Sequence, residues 1–165
     1  VILGCTRPAG PLRAAVDRLA VDCGLDGIAY PAEGTVAYAA GKGLLLLLEP
    51  YNRFVTNFAN TAEEGVAFMR EMNHEGLGLL LDTFHINIED PSFGGAIYHA
   101  RDYLFHMHLT DNNRMYPGAG HIPFAEVIGA LKAIRYQGYL SIQVAQKPDF
   151  RTVAVRSYGH LRGLL

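Results

Sequence analysis

Residues 44–49 read Leu-Leu-Leu-Leu-Leu-Glu, and the fold turns on how that run is taken. Five consecutive leucines are far too few to cross a bilayer, and they suit a strand buried on both faces, as in a parallel sheet covered by helices. The run ends on a carboxylate, Glu49. Three further apolar runs end on polar residues, at Asp82, His108 and Gln143, with separations of 33, 26 and 35 residues. Spacings near 30 are what a strand-then-helix unit produces on repeating, and in a parallel barrel of such units the strand ends converge on one face. Side chains distant in sequence then share one metal or one substrate. The chain reads as the active-site half of an enzyme.

Working outward from Glu49, five strands alternate with helices: Val1 to Gly4, Leu44 to Glu49, Leu77 to Leu81, Leu104 to Leu109 and Tyr139 to Val144. Helical patterning falls around Leu12 to Asp22, Glu33 to Ala40, Thr61 to Asn73, Phe93 to Arg101, Pro123 to Ile134 and Phe150 to Leu161. Thr61 followed by Glu63 and Glu64 looks like an N-cap with an acidic first turn, and Pro123 suits the start of a helix. With no linker, internal repeat or low-complexity tract, residues 1–165 are expected to form one domain. A complete eight-unit barrel needs roughly 250 residues, against 165 here. The first strand also opens at residue 1, and a natural N-terminus seldom opens inside a strand. The fold class expected is therefore α/β, an incomplete (β/α)8 barrel lacking its N-terminal strands.

Fourteen basic and sixteen acidic residues give a formal charge of −2, with no basic run of the kind that grips nucleic acid or an anionic membrane. Neither is an expected partner. Two cysteines, Cys5 and Cys23, without a signal peptide read as reduced thiols in a soluble, cytoplasmic protein.

The chemistry sits at the strand ends. Alone, each polar residue has a bland reading: Glu49 as a solvated loop carboxylate, Asp82 as a turn cap, His85 and His108 as satisfied histidines. His106 and His108 share a face because strand side chains alternate. Combination tips the balance. Carboxylates and an imidazole arriving at one face form the mixed oxygen and nitrogen set that suits manganese, magnesium or cobalt better than zinc.

Three motifs carry a resemblance: L-E-P-Y-N-R-F from Leu48, L-L-L-D-T-F-H from Leu79, and H-M-H-L-T-D-N-N-R-M-Y-P-G-A-G-H-I-P-F from His106. They resemble the xylose isomerase-like superfamily of sugar isomerases and epimerases, and within it the ketose 3-epimerases of the D-tagatose 3-epimerase type. The likeness runs from about Leu44 to Pro148, and the segment Gly10 to Gly43 matches poorly. It implies that the chain covers about strands four to eight of a TIM barrel. It implies that Glu49, Asp82 and His108, with Gln143 at the position of a fourth ligand, hold a divalent metal, Mn2+ by preference over Mg2+ or Co2+. It implies that His85 and Arg114 contact the oxygens of a bound ketose, and that Glu49 and the residue at position 143 are the two bases on opposite faces of the reacting carbon. The reaction implied is proton transfer through a metal-stabilised enediolate, because a proton beside a carbonyl is too weakly acidic for an unaided carboxylate.

The sequence departs from that pattern at three points. Gln143 stands where the family has a glutamate, and an amide neither accepts nor delivers a proton at neutral pH. Val55 follows N-R-F where a glutamate is common. With three strands missing, the first and last strands would each be an open edge. An alternative follows from these departures: a catalytically silent fragment or pseudoenzyme that binds metal or sugar without turnover. A homodimer accords with the resemblance and would cover the edges, though no residue demands it. The related DNA-repair endonucleases are disfavoured by the near-neutral charge. His121 and the glycines at 118 and 120 are read as fixing a loop rather than cradling phosphate, since the lysine and spacing of a P-loop are absent. Asp111, Asn112 and Asn113 are either substrate contacts or solvated loop residues.

Overall fold

The computed structural model describes residues 2–4 and 33–165. The helix expected at 12–22 and the thiols Cys5 and Cys23 lie outside the described residues.

Five strands form one sheet in sequence order, with every adjoining pair parallel. They are β1 (Ile2–Gly4), β2 (Leu46–Glu49), β3 (Leu77–Asp82), β4 (Leu104–His108) and β5 (Tyr139–Ser141). Between and after them lie α1 (Glu33–Gly41), α2 (Ala62–Met72), α3 (Thr83–Glu89), α4 (Phe93–Ala100), α5 (Phe124–Ala133) and α6 (Phe150–Leu161). Strand, crossover helix, next parallel strand is the unit that the leucine runs predict. Every residue of β2 and β3 is buried, as the unbroken apolar runs require of a sheet covered on both sides.

The register explains why the polar strand ends meet. Gly4 pairs with Glu49, Leu48 with Leu79, and Asp82 with His108. Strands β3 and β4 thus end level, Asp82 opposite His108, while β2 runs one residue past the Leu48–Leu79 pair to Glu49.

Helix α2 shows how the outer layer is laid on. Ala62, Gly65, Val66 and Met69 are buried at helical spacing, and a Cβ at Gly65 would stand 3.1 Å from both Leu79 Cδ2 and Pro50 Cγ. That close approach of helix to strand needs glycine. The N-cap reading of Thr61 is borne out as a full capping box. Its side chain accepts the Glu64 N–H, and Glu64 returns to the Thr61 backbone.

Two elements differ from the sequence reading. A short helix, α3, follows β3 directly, with Asp82 as its N-cap accepting the Phe84 N–H at 2.8 Å. One aspartate ends the strand and starts the helix, leaving no loop between them. Strand β5 stops at Ser141 rather than Val144, because among the described residues only β4 pairs with it. Beyond its edge, Ile142, Val144, Phe150 and Tyr158 line an apolar groove of about 390 Å³ against α6.

Candidate metal and sugar site

The strand ends build a buried polar cluster at the edge of a largely apolar sheet. Glu49 closes β2 and is fully buried; Asp82, His85 and His108 are each 3 % exposed or less. One possible ligand atom from each of Glu49, Asp82 and His85 lies within 4.8 Å of the others. His108 belongs to the same cluster, its Nδ1 3.3 Å from Glu49 Oε1. Glu49 Oε2 is buried with no hydrogen-bond partner. A carboxylate oxygen left so is costly unless a cation or donor satisfies it.

This donor set fits a hard or borderline divalent cation: two carboxylates and an imidazole, with an orphaned oxygen among them. His85 is the less suitable of the two histidines. Its Nδ1 faces both N–H groups of Asn52, at 3.1 and 2.8 Å, and its Nε2 faces the Arg114 guanidinium at 3.1 Å. His108, whose Nδ1 lies against Glu49, is the other imidazole that could join the two carboxylates.

Arg114 is held from several directions. Its Nη1 donates to Asp82 Oδ2 at 2.9 Å, its guanidinium lies 4.0 Å over the Phe84 ring, and its backbone sits at φ 62°. A non-glycine residue in the left-handed region carries a cost that the surroundings must offset. Here the Asp111 carbonyl accepts the Arg114 N–H, and the Arg114 carbonyl accepts that of Ala145.

Electrostatics follow from burial. Burial raises the Asp82 carboxyl to about 6, with the Phe84 N–H and Arg114 opposing that rise. Burial, then the neighbouring Arg114, lowers His85 to about 3, so its ring is neutral at physiological pH. Burial and the Glu49 carboxylate push the Tyr51 phenol up to about 12.

Gln143 stands just beyond β5 at an exposed position, tied in by its backbone carbonyl, which accepts the Thr110 hydroxyl at 2.7 Å. Val55 is exposed on the loop after β2. The polar loop 110–122 is stapled from within. Asp111 accepts four backbone N–H groups, from Asn112, Gly118, Gly120 and Ile122, at 2.8–3.1 Å. Asn112 accepts the His121 N–H, and Asn113 bonds Ala119 and Met115. These three polar side chains hold the loop's shape.

Sequence reasoning missed several supports of the site. Thr83 and Thr110 exchange hydrogen bonds across the ends of β3 and β4 at 2.7 and 2.8 Å. Arg53 grips Glu89 with both nitrogens of a fork, at 2.9–3.1 Å. Asn52 buries its side chain on His85. For Asn52 the sequence carried no signal beyond N-R-F three residues after a strand end, which reads as turn chemistry.

Comparison with known proteins agrees with this architecture. D-psicose 3-epimerase of Ruminiclostridium cellulolyticum is 47% identical over 100 residues, covering 61% of this chain and 34% of that protein. The D-psicose 3-epimerase of Agrobacterium fabrum is 42% identical over 115 residues, covering 70% of this chain and 38% of the relative. The chain thus spans well under half the length of these curated relatives. The crystal structure of a D-allulose 3-epimerase from Methylomonas sp. superposes with a TM-score of 0.76 at 28% identity, over 96% of this chain and 58% of that one. The described strands accordingly form part of a TIM barrel. A family model for xylose isomerase-like TIM barrels matches residues 18–162, taking in every candidate site residue from Glu49 to Gln143, and on that match the chain belongs to the xylose isomerase-like TIM barrel family.

Proposed function

We propose that this chain carries the metal and sugar site of a ketose epimerase, exchanging the proton on a carbon beside a ketose carbonyl. The observation that carries this reading is the buried carboxylate Glu49, one oxygen against His108 and the other unpartnered, at the end of a strand beside Asp82. Relatives named as D-psicose and ketose 3-epimerases support the choice of substrate class.

In this reading Glu49, Asp82 and His108 hold a divalent metal, manganese by preference, with position 143 as a fourth contact. When bound, the cation supplies Lewis-acid polarisation of the carbonyl and lowers the acidity barrier at the neighbouring carbon. Glu49 takes the proton. His85 and Arg114 hold the sugar's oxygens so that the reacting carbon stays within reach of that carboxylate. Tyr51, packed edge-on against His85 with ring centroids 4.6 Å apart, helps to exclude water from that side.

Gln143 is neither acid nor base. The chain should therefore exchange the proton on one face faster than it inverts the centre. Incubation with Mn2+ and a panel of unphosphorylated ketoses in heavy water, followed by NMR, is expected to show metal-dependent deuterium uptake beside the carbonyl with little epimer. Gln143→Glu should then raise epimer formation by about 100-fold or more, the usual worth of a placed general base or acid. Absence of uptake from a folded, metal-binding sample would overturn the active-enzyme reading in favour of a silent sugar- or metal-binding remnant, which Gln143 favours.

A further inference from the structure

We propose that Asn52 is a positioning residue that sets the tautomer of His85, so that His85 Nε2–H and Arg114 present paired donors to a single acceptor oxygen of the ligand. The inference rests on the sugar-binding reading for the identity of the ligand, and on hydrogen-bond geometry for the tautomer.

The backbone N–H of Asn52 lies 3.1 Å from His85 Nδ1, and a backbone N–H only donates. The side-chain amide nitrogen of Asn52 lies 2.8 Å from the same Nδ1. Its orientation is fixed from the other end, because Oδ1 of the same amide accepts the Phe54 N–H at 3.0 Å. Rotating the amide would set its NH2 against that N–H and its oxygen against a nitrogen that already accepts. Two donors therefore meet Nδ1, and the single proton of the neutral ring belongs on Nε2.

Nε2 in turn lies 3.1 Å from Arg114 Nη2, and a guanidinium has donors only. Two N–H groups so close repel unless they share an acceptor. Neither partner is free to turn away. Asp82 and the Phe84 ring hold Arg114, while Tyr51 and Phe84 flank the His85 ring. The turn that carries Asn52 is anchored by the Arg53 fork on Glu89. The pair is thus built for an oxygen that accepts two hydrogen bonds, a carbonyl or an oxygen gaining negative charge, and it disfavours an oxygen that must donate. Preorganised donors of this kind favour charge developing on the ligand over the neutral ground state. Were the proton on Nδ1, the Asn52 contacts would be lost and Nε2 would accept from Arg114, consuming both members of the pair.

The test is nitrogen NMR of the full 165-residue chain, free of sugar and near neutral pH. The imidazole nitrogens of His85 distinguish a protonated from an unprotonated site. The expected result is an unprotonated Nδ1 and a protonated Nε2. Asn52→Asp replaces a donor by an obligate acceptor and should draw the proton to Nδ1, moving the tautomer ratio at least about tenfold, the worth of one hydrogen bond. Should that variant not fold, Asn52→Ala keeps the backbone donor alone and should shift the same resonances toward a mixture. A protonated Nδ1 in the parent chain, or a ratio unchanged in the folded variant, would overturn the proposal. Because no sugar is present, this failure is distinct from failure of the deuterium-exchange test, which leaves the tautomer untouched.

Discussion

Glu49 is the residue where stability and chemistry conflict. A carboxylate buried with one oxygen unpartnered, within reach of a second carboxylate at Asp82, is a poor choice for a stable interior and a good one for holding a cation. Glu49→Gln keeps the shape and removes the charge. In metal-free protein it should leave stability equal or raise it by about 1 kcal/mol, while abolishing any metal-induced stabilisation. Urea denaturation with and without Mn2+ measures both effects, and a metal response surviving in the variant would place the cation elsewhere. The candidate ligands Glu49, Asp82 and His108 were legible because each ends an apolar run. Asn52 was not. An asparagine after a proline and a tyrosine reads as turn chemistry, and only the fold brings it to a histidine 33 residues away.

At the scale of elements, most of what the sequence showed was local, and most of what it hid was shared between elements. Helix α2 was legible from Thr61 and Glu64, since a capping box is written within four residues; Thr61→Ala should cost about 1 kcal/mol in chemical denaturation. Helix α3 was hidden because its cap, Asp82, is also the last residue of β3, so the strand pattern and the helix start overlap. The 110–122 loop illustrates the same limit. Asp111 read as either a substrate contact or a solvated loop residue, yet it accepts four backbone N–H groups from residues up to eleven positions away. Burial alone would raise its carboxyl; those four N–H groups outweigh burial and hold it below the ordinary carboxylate range. The sign follows from the unfolded chain binding a proton first. The stabilisation is complete above the unfolded pKa of about 3.9 and is lost as pH falls through the lower folded value. Asp111→Asn offers one acceptor where two oxygens served, and turns an NH2 toward the N–H groups of Gly118 and Gly120. Its cost should be about 3 kcal/mol or more near neutral pH, shrinking toward acid; a cost below 1 kcal/mol would show that the loop is held by other contacts.

On the scale of the whole molecule, a sheet in strict sequence order makes the site a property of the assembled fold. Glu49, Asp82 and His108 close three successive strands, and only the parallel pairing brings those strand ends to the same edge of the sheet. No segment shorter than β2 to β4 carries the set. Among the described residues the sequence showed the number and order of strands well, since each apolar run is bounded by turn residues, but it gave β5 three residues too many because pairing on one side alone does not hold a strand's end. Ligand binding to such a site must be linked to global stability, as the unfolded chain has no preformed cluster. A divalent cation at about 100 times its dissociation constant would add about 2.7 kcal/mol, and for a chain of this size each kcal/mol raises the melting temperature by about 2–4 °C. Mn2+ should therefore move the unfolding midpoint up by roughly 5–10 °C, a chelator should reverse it, and Glu49→Gln, Asp82→Asn and His108→Ala should each remove most of the shift. His85→Ala separates the two histidines. If His108 ligates and His85 orients the sugar, the loss of His85 leaves the thermal shift nearly intact and weakens only sugar binding; loss of the shift with His85 instead of His108 would reverse their roles at the metal.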